Sequence, residues 1–124
     1  MRVVRVGICG WGNVATGMFK AIAENKTIIE AAGVKIDIDC IGARRDNPKC
    51  NPGSVKILRD IFDVPNQDID IVIELIGGVD VARELILKSI RQGKHVITAN
   101  KAVIFHHGDE IFQEAKNHNV KVLF

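Results

Sequence analysis

Two periods of apolar residues take turns along the chain. Val3 to Cys9 is apolar almost throughout, apart from Arg5, which predicts a first strand buried on both faces. From Asn13 to about Asn25 the period lengthens. Val14, Met18, Ala21 and Ile22 recur at helical spacing, and the pattern allows the helix to run on through Ile28, Ile29 and Ala32 to Gly33, a suitable stop. Lys35 to Gly42 predicts a second strand. Asp37 and Asp39 alternate there with Ile36, Ile38 and Cys40, which suits a partly exposed strand end better than a buried one. Arg44 to Ser54 holds two of the three prolines and is the clear loop. Val55 to Asp63 fits a short strand and a helical turn equally. Ile69 to Ile76, IDIVIELI, gives the strongest strand signal. Val81 to Arg91 predicts an amphipathic helix closed by Gly93, with Leu85, Ile86 and Ile90 on one face. His95 to Thr98 predicts a strand, Asp109 to Asn117 a helix and Val120 to Phe124 a last strand. Alternating strands and helices imply an α/β fold: a doubly wound, mostly parallel sheet with right-handed crossovers.

Composition narrows the partners. The chain has 124 residues, 47% hydrophobic and 26% charged, which suits one globular domain over residues 1–124. A net charge of +2 is too small to argue for nucleic acid or a membrane surface. No apolar run approaches the ~20 residues of a membrane span. The N-terminus reads directly as a strand without a cleavage-site pattern, so a cytoplasmic protein is expected. The three cysteines form no C-x-x-C. Cys9 and Cys40 fall in apolar strands and are expected in the core, Cys50 in the polar loop and exposed. No metal site is expected, and His106-His107-Gly108 reads as a helix entry. The final VKVLF ends in an apolar strand, which predicts the N-terminal part of a longer protein.

Candidate chemistry gathers where strands end. GICGWGNVATG, Gly7 to Gly17, contains Gly10-Trp11-Gly12-Asn13-Val14-Ala15, a G-x-G-x-x-G/A pattern between a buried strand and a helix. Gly10 suits a tight turn, Gly12 leaves room for a pyrophosphate, and Ala15 is small enough for the helix to pack on the strand. The free N–H groups of the helix start then face the phosphates. An ordinary glycine turn is the alternative. Trp11 suits a place along the cofactor and packing on the loop equally, and Gly17 is expected to help the helix pack. The second strand ends Ile41-Gly42-Ala43-Arg44-Arg45, without the carboxylate that holds an NAD ribose. Two guanidiniums suit a 2′-phosphate instead. NADP is therefore the expected cofactor and NAD the alternative, with Lys56 a conceivable second phosphate contact. Glu74-Leu75-Ile76-Gly77-Gly78 ends the strand that begins at Ile69, and Thr98-Ala99-Asn100-Lys101 ends the following one, all on the rim where such sheets bind ligands; a flexible strand-to-helix turn and a surface lysine are the alternatives.

In this order, Gly10 to Gly17, Asp70 to Gly78, Gly93 to Ala102 and His107-Gly108 resemble the N-terminal nucleotide-binding domain of the homoserine dehydrogenase family. E-L-I-G-G and T-A-N-K-A carry the resemblance more specifically than the glycine motif, which many dehydrogenases share. The resemblance implies an NAD(P)-dependent enzyme that interconverts L-homoserine and L-aspartate 4-semialdehyde towards threonine, methionine and isoleucine. It implies a homo-oligomer, dimer or tetramer, at full length. By analogy Gly10 to Val14 hold the pyrophosphate and Arg44 the adenosine phosphate. Lys101, beside nicotinamide and substrate, is the one catalytic residue carried over. The chain departs from the family at Ala15, where Gly is usual, and it stops before the family's cation site, homoserine pocket and other catalytic Lys and Asp. This fragment alone is therefore expected to be inactive. A stand-alone dinucleotide-binding module without turnover, or another amino-acid-pathway oxidoreductase, are the competing readings.

Overall fold

The computed structural model describes residues 1–124. Six strands, β1 (Arg2–Cys9), β2 (Val34–Gly42), β3 (Lys56–Leu58), β4 (Ile71–Glu74), β5 (His95–Thr98) and β6 (Val122–Leu123), form one sheet. Every pairing is parallel and the order is β3-β2-β1-β4-β5-β6. The doubly wound α/β fold expected from the alternation is thus observed. Helices α1 (Asn13–Glu24), α2 (Lys26–Ala31), α3 (Asp80–Arg91) and α4 (Lys101–Asn117) connect the strands, together with a 3₁₀ segment at Ile61–Asn66.

The two faces of β1 explain its composition. Val6 and Ile8 pack with Ala15 of α1, while Cys9 lies in a second cluster with Cys40, Val64, Ile69, Val72 and Leu85. The 3₁₀ segment takes the place of a crossover helix between β3 and β4. Its Val64 sits so close to the sheet that a Cβ at Gly7 would lie 2.5 Å from Val64 Cγ1, and one at Gly42 2.9 Å from Val64 Cγ2. These two glycines are required by packing. Leu85 of α3 is fully buried in the same cluster. Leu85→Ala is expected to cost about 2–5 kcal/mol of stability by urea denaturation, the range for emptying a closed core site; a loss below about 1 kcal/mol would mean the α3 contact collapses freely.

Some expectations need correction. The first helix does not run through to Gly33. It ends at Glu24, Asn25 donates its side-chain amide to the Ala21 carbonyl (2.7 Å), and α2 starts afresh at Lys26. Gly33 is the stop, with φ +89°. The ambiguous stretch 55–63 contains both candidates in succession, β3 and then the start of the 3₁₀ segment. The last helix begins at Lys101, not at Asp109, because Asn100 caps it by accepting from the Val103 N–H (3.1 Å). His106 and His107 therefore lie mid-helix rather than at its entry. Cys50 is buried, not exposed, and packs in the α1-side cluster. Burial pushes the Cys40 thiol up to about 11 and the Cys9 thiol higher still.

The aspartates of β2 find a physical explanation. β3 pairs only with Cys40 to Gly42, so the first half of β2 is an open sheet edge. Arg5 of β1 reaches across it, with Nη2 2.7 Å from Asp39 Oδ1 and Nη1 2.7 Å from Asp68 Oδ2.

Candidate functional site

Strand register brings the candidate chemistry into one line. Cys9 opposes Gly42 on one side and Glu74 on the other, and Glu74 opposes Thr98. The four strand ends form a row along the carboxyl rim, and the order reverses at β1, where open parallel sheets bind ligands.

The glycines of the first turn have separate tasks. Gly10 has φ +108°, and a Cβ there would stand 2.8 Å from the Leu75 carbonyl oxygen. Its N–H donates to the Gly42 carbonyl (2.8 Å). Gly10 is demanded by the fold. Gly12 is different. Its φ of −92° is open to any residue, and an added Cβ would meet nothing within 4 Å. Nothing inside the chain requires glycine there, which leaves room for a ligand as the physical reason. Ala15 is buried against β1, as a small residue at that point allows. Gly17 does not serve packing: a Cβ there is also free of neighbours.

The start of α1 carries open donors. No side chain caps it, and its first amide to find a partner is that of Thr16, which donates to the Gly12 carbonyl (3.0 Å). The N–H groups of Asn13, Val14 and Ala15 remain available to an anion, at the positive end of the helix dipole.

A cleft of about 530 Å³ opens beside this turn. Of the expected contacts, Gly10, Trp11, Arg44, Arg45, Ile76 and Gly77 line it. Trp11 borders the cleft, and its ring packs edge-on against Phe19 of α1 (5.3 Å between centroids) rather than on the loop. Arg44 and Arg45 are exposed and make no ion pair, while the neighbouring Asp46 is held by Arg59 Nη2 at 2.7 Å. Lys56 does not line the cleft; its ammonium bonds the Gln67 side chain (2.7 Å). A second depression, about 770 Å³ between α3 and α4, includes none of these residues, and its Arg83 and Glu110 already pair with each other.

Gly78, Thr98, Ala99, Asn100 and Lys101 stand along the rim outside the cleft proper. Gly77 and Gly78 both take left-handed φ values, +75° and +73°. Lys101 opens α4, is exposed and makes no ion pair. Thr98 is buried, and its hydroxyl is committed inward to Glu74 Oε1 (2.6 Å).

Sequence reasoning passed over two contributors. Asn47 donates to the Trp11 carbonyl (3.0 Å), tying the 43–55 loop to the glycine turn; its Asn-Pro pair was the available signal. Glu74 is a fully buried acid at the end of an otherwise apolar strand, and that mismatch was its signal.

The arrangement suits a long anionic ligand, with its central phosphates at the α1 start, one end beside Arg44 and Arg45 and the other running towards Lys101. Comparison with known proteins shows the family. The family model described as homoserine dehydrogenase, NAD binding domain, matches residues 10–124. The homoserine dehydrogenase of Pseudomonas aeruginosa is 52% identical over 126 residues, and that of Synechocystis sp. 36% identical. The chain spans only 29% and 28% of the length of these two proteins. The crystal structure of a homoserine dehydrogenase from Thiobacillus denitrificans superposes with a TM-score of 0.91 at 37% identity, over 99% of this chain and 29% of that one. A hyperthermophilic archaeal homoserine dehydrogenase in complex with NADPH shares the fold, with a TM-score of 0.80 at 22% identity over 98% of this chain and 43% of that one.

Proposed function

Since the chain belongs to the homoserine dehydrogenase family, as its NAD-binding domain, we propose that it holds NADP in preference to NAD and forms the nucleotide half of an enzyme that interconverts L-homoserine and L-aspartate 4-semialdehyde. A nicotinamide dinucleotide is the cofactor class the family sets. The observation that carries the reading is Gly12: an unstrained glycine with vacant space where its Cβ would be, at the mouth of an uncapped helix. A pyrophosphate is the group that such a cradle fits.

Each remaining part has a stated task. Gly10, Gly12, Asn13 and Val14 would receive the pyrophosphate, with Trp11 beside it. Arg44 would hold the adenosine 2′-phosphate, with Arg45 adding charge. Ile76, Gly77 and Gly78 on one side, and Thr98, Ala99 and Asn100 on the other, would flank the nicotinamide-side half. When bound, the nicotinamide supplies hydride chemistry at its C4. Lys101 offers an unpaired ammonium at this rim, suited to orient a substrate carboxylate or to move a proton at the substrate oxygen. Residues 1–124 act as one dinucleotide-binding domain in this reading, and the homoserine pocket belongs to the length of the relatives that this chain does not span.

Calorimetric titration of the chain with NADP and, separately, NAD tests the reading. NADP is expected to bind at least about tenfold more tightly, as one charge-assisted contact allows. Equal affinities would remove the NADP preference. Binding of neither by a chain that circular dichroism shows to be folded would overturn the cofactor assignment.

A further inference from the structure

Glu74 is the one acidic side chain fully buried in the protein, and no ion pair reaches it. A buried carboxylate without a cation is costly compared with the Ile and Val residues that fill the rest of β4. Its hydrogen bonds show what it holds. Oε2 accepts from the Ile76 N–H (2.9 Å), at the start of the 76–78 turn. Oε1 accepts from the Thr98 hydroxyl (2.6 Å), and that hydroxyl accepts in turn from the Asn100 N–H (3.0 Å). The Asn100 side chain closes the ring. Its Oδ1 caps α4 through the Val103 N–H (3.1 Å), and its Nδ2 donates to the Gly78 carbonyl.

We propose that Glu74 is a positioning residue for the nicotinamide-side half of the cleft: its buried carboxylate binds the Ile76–Gly78 turn to the Thr98–Lys101 turn and so fixes where Lys101 stands. The inference rests on the dinucleotide reading given above. Two features make the ring necessary. Gly77 and Gly78 have no packing of their own, since a Cβ on either would meet nothing within 4 Å. The chain of donors also has one direction, from the Asn100 amide through the Thr98 hydroxyl to an acceptor. The carboxylate gives one acceptor oxygen to the Thr98 hydroxyl and the other to the Ile76 N–H. An amide at position 74 would turn an N–H₂ towards one of these donors.

The test uses Glu74→Gln, which keeps the volume, and two ligands. NADP spans both halves of the cleft; adenosine 2′,5′-bisphosphate reports on the Arg44 side alone. Glu74→Gln is expected to weaken NADP binding about tenfold and to leave the bisphosphate within about twofold, a coupling of ordinary size. It is also expected to speed amide hydrogen exchange at Ile76 and Asn100. Thr98→Val should produce the same loss, the double variant no more than either single one, and Thr98→Ser should retain wild-type affinity. Equal weakening of both ligands would mean a general loosening and would overturn the proposal, as would an unchanged NADP affinity or additive losses. If Glu74→Gln fails to fold, the Thr98 pair decides by the same criteria. Failure of the unaltered chain to bind either ligand would instead remove the dinucleotide reading and this inference with it.

Discussion

Gly12→Val is expected to lower NADP affinity by about two orders of magnitude while costing no more than about 1 kcal/mol of stability, the loss of a glycine N-cap. The two halves of that result come from separate observations. Stability is largely spared because Gly12 has an extended backbone and open space where a side chain would go. Affinity is lost because the new methyl groups would occupy the approach to the free amides of α1. Gly10→Ala should do the reverse to the fold. With φ at +108° and a backbone oxygen 2.8 Å from the new Cβ, it is expected to cost about 2–4 kcal/mol. Urea denaturation and calorimetry on the two variants separate a glycine kept for the ligand from one kept for the chain. Retention of full NADP affinity by Gly12→Val would remove the main support for the site.

Arg44→Ala is expected to erase most of the preference for NADP, by about 10- to 100-fold, with little change for NAD. In the folded chain the Arg44 guanidinium has no internal partner, so its removal breaks no contact and the effect must be read in the ligand. Asp46, the one acid on this wall of the cleft, is occupied by Arg59 and offers little to a ribose hydroxyl. The measurement is the ratio of NADP to NAD dissociation constants in parent and variant. An unchanged ratio would move the selectivity elsewhere, with Arg45 the next group to replace.

The sheet was legible in the sequence because β-branched runs such as Val3 to Ile8 and Ile69 to Ile76 are local signals that the fold does not override. The glycine turn was legible because its motif, strand and helix are contiguous. What could not be read depended on partners distant in sequence. The start of α4 was not legible because His106-His107-Gly108 reads as a helix entry, whereas Gly108 lies buried mid-helix beside Ile104 and Phe112. Gly7 and Gly42 gave no packing signal in the sequence, because the residue that approaches both most closely, Val64, lies more than twenty positions away. Cys50 sits among polar loop residues, and only the folded loop turns it inward against the α1-side core. Glu74 lies within the E-L-I-G-G segment, but its partners Thr98 and Asn100 stand more than twenty residues onward.

The strand order carries a consequence for how the chain comes into being. β1 precedes the other five strands in the chain and lies inside the finished sheet, between β2 and β4. One neighbour, β2, follows directly after α1 and α2. The other, β4, arrives only with Ile71, and the Asp70 N–H donates to the Arg5 carbonyl (2.8 Å) from 65 positions further along the chain. Throughout that interval β1 presents an unpaired edge, Ile8 lacks its neighbour Ile73 of β4, and Cys9 lacks the cover that Leu85 of α3 later gives. The β1–β4 pairing rewards the chain only after that long loop is closed, which slows folding relative to a sheet built from local hairpins. The growing polypeptide therefore passes through a stage in which its eventual middle is still its rim, and a chaperone that shields apolar edges has its longest opportunity there.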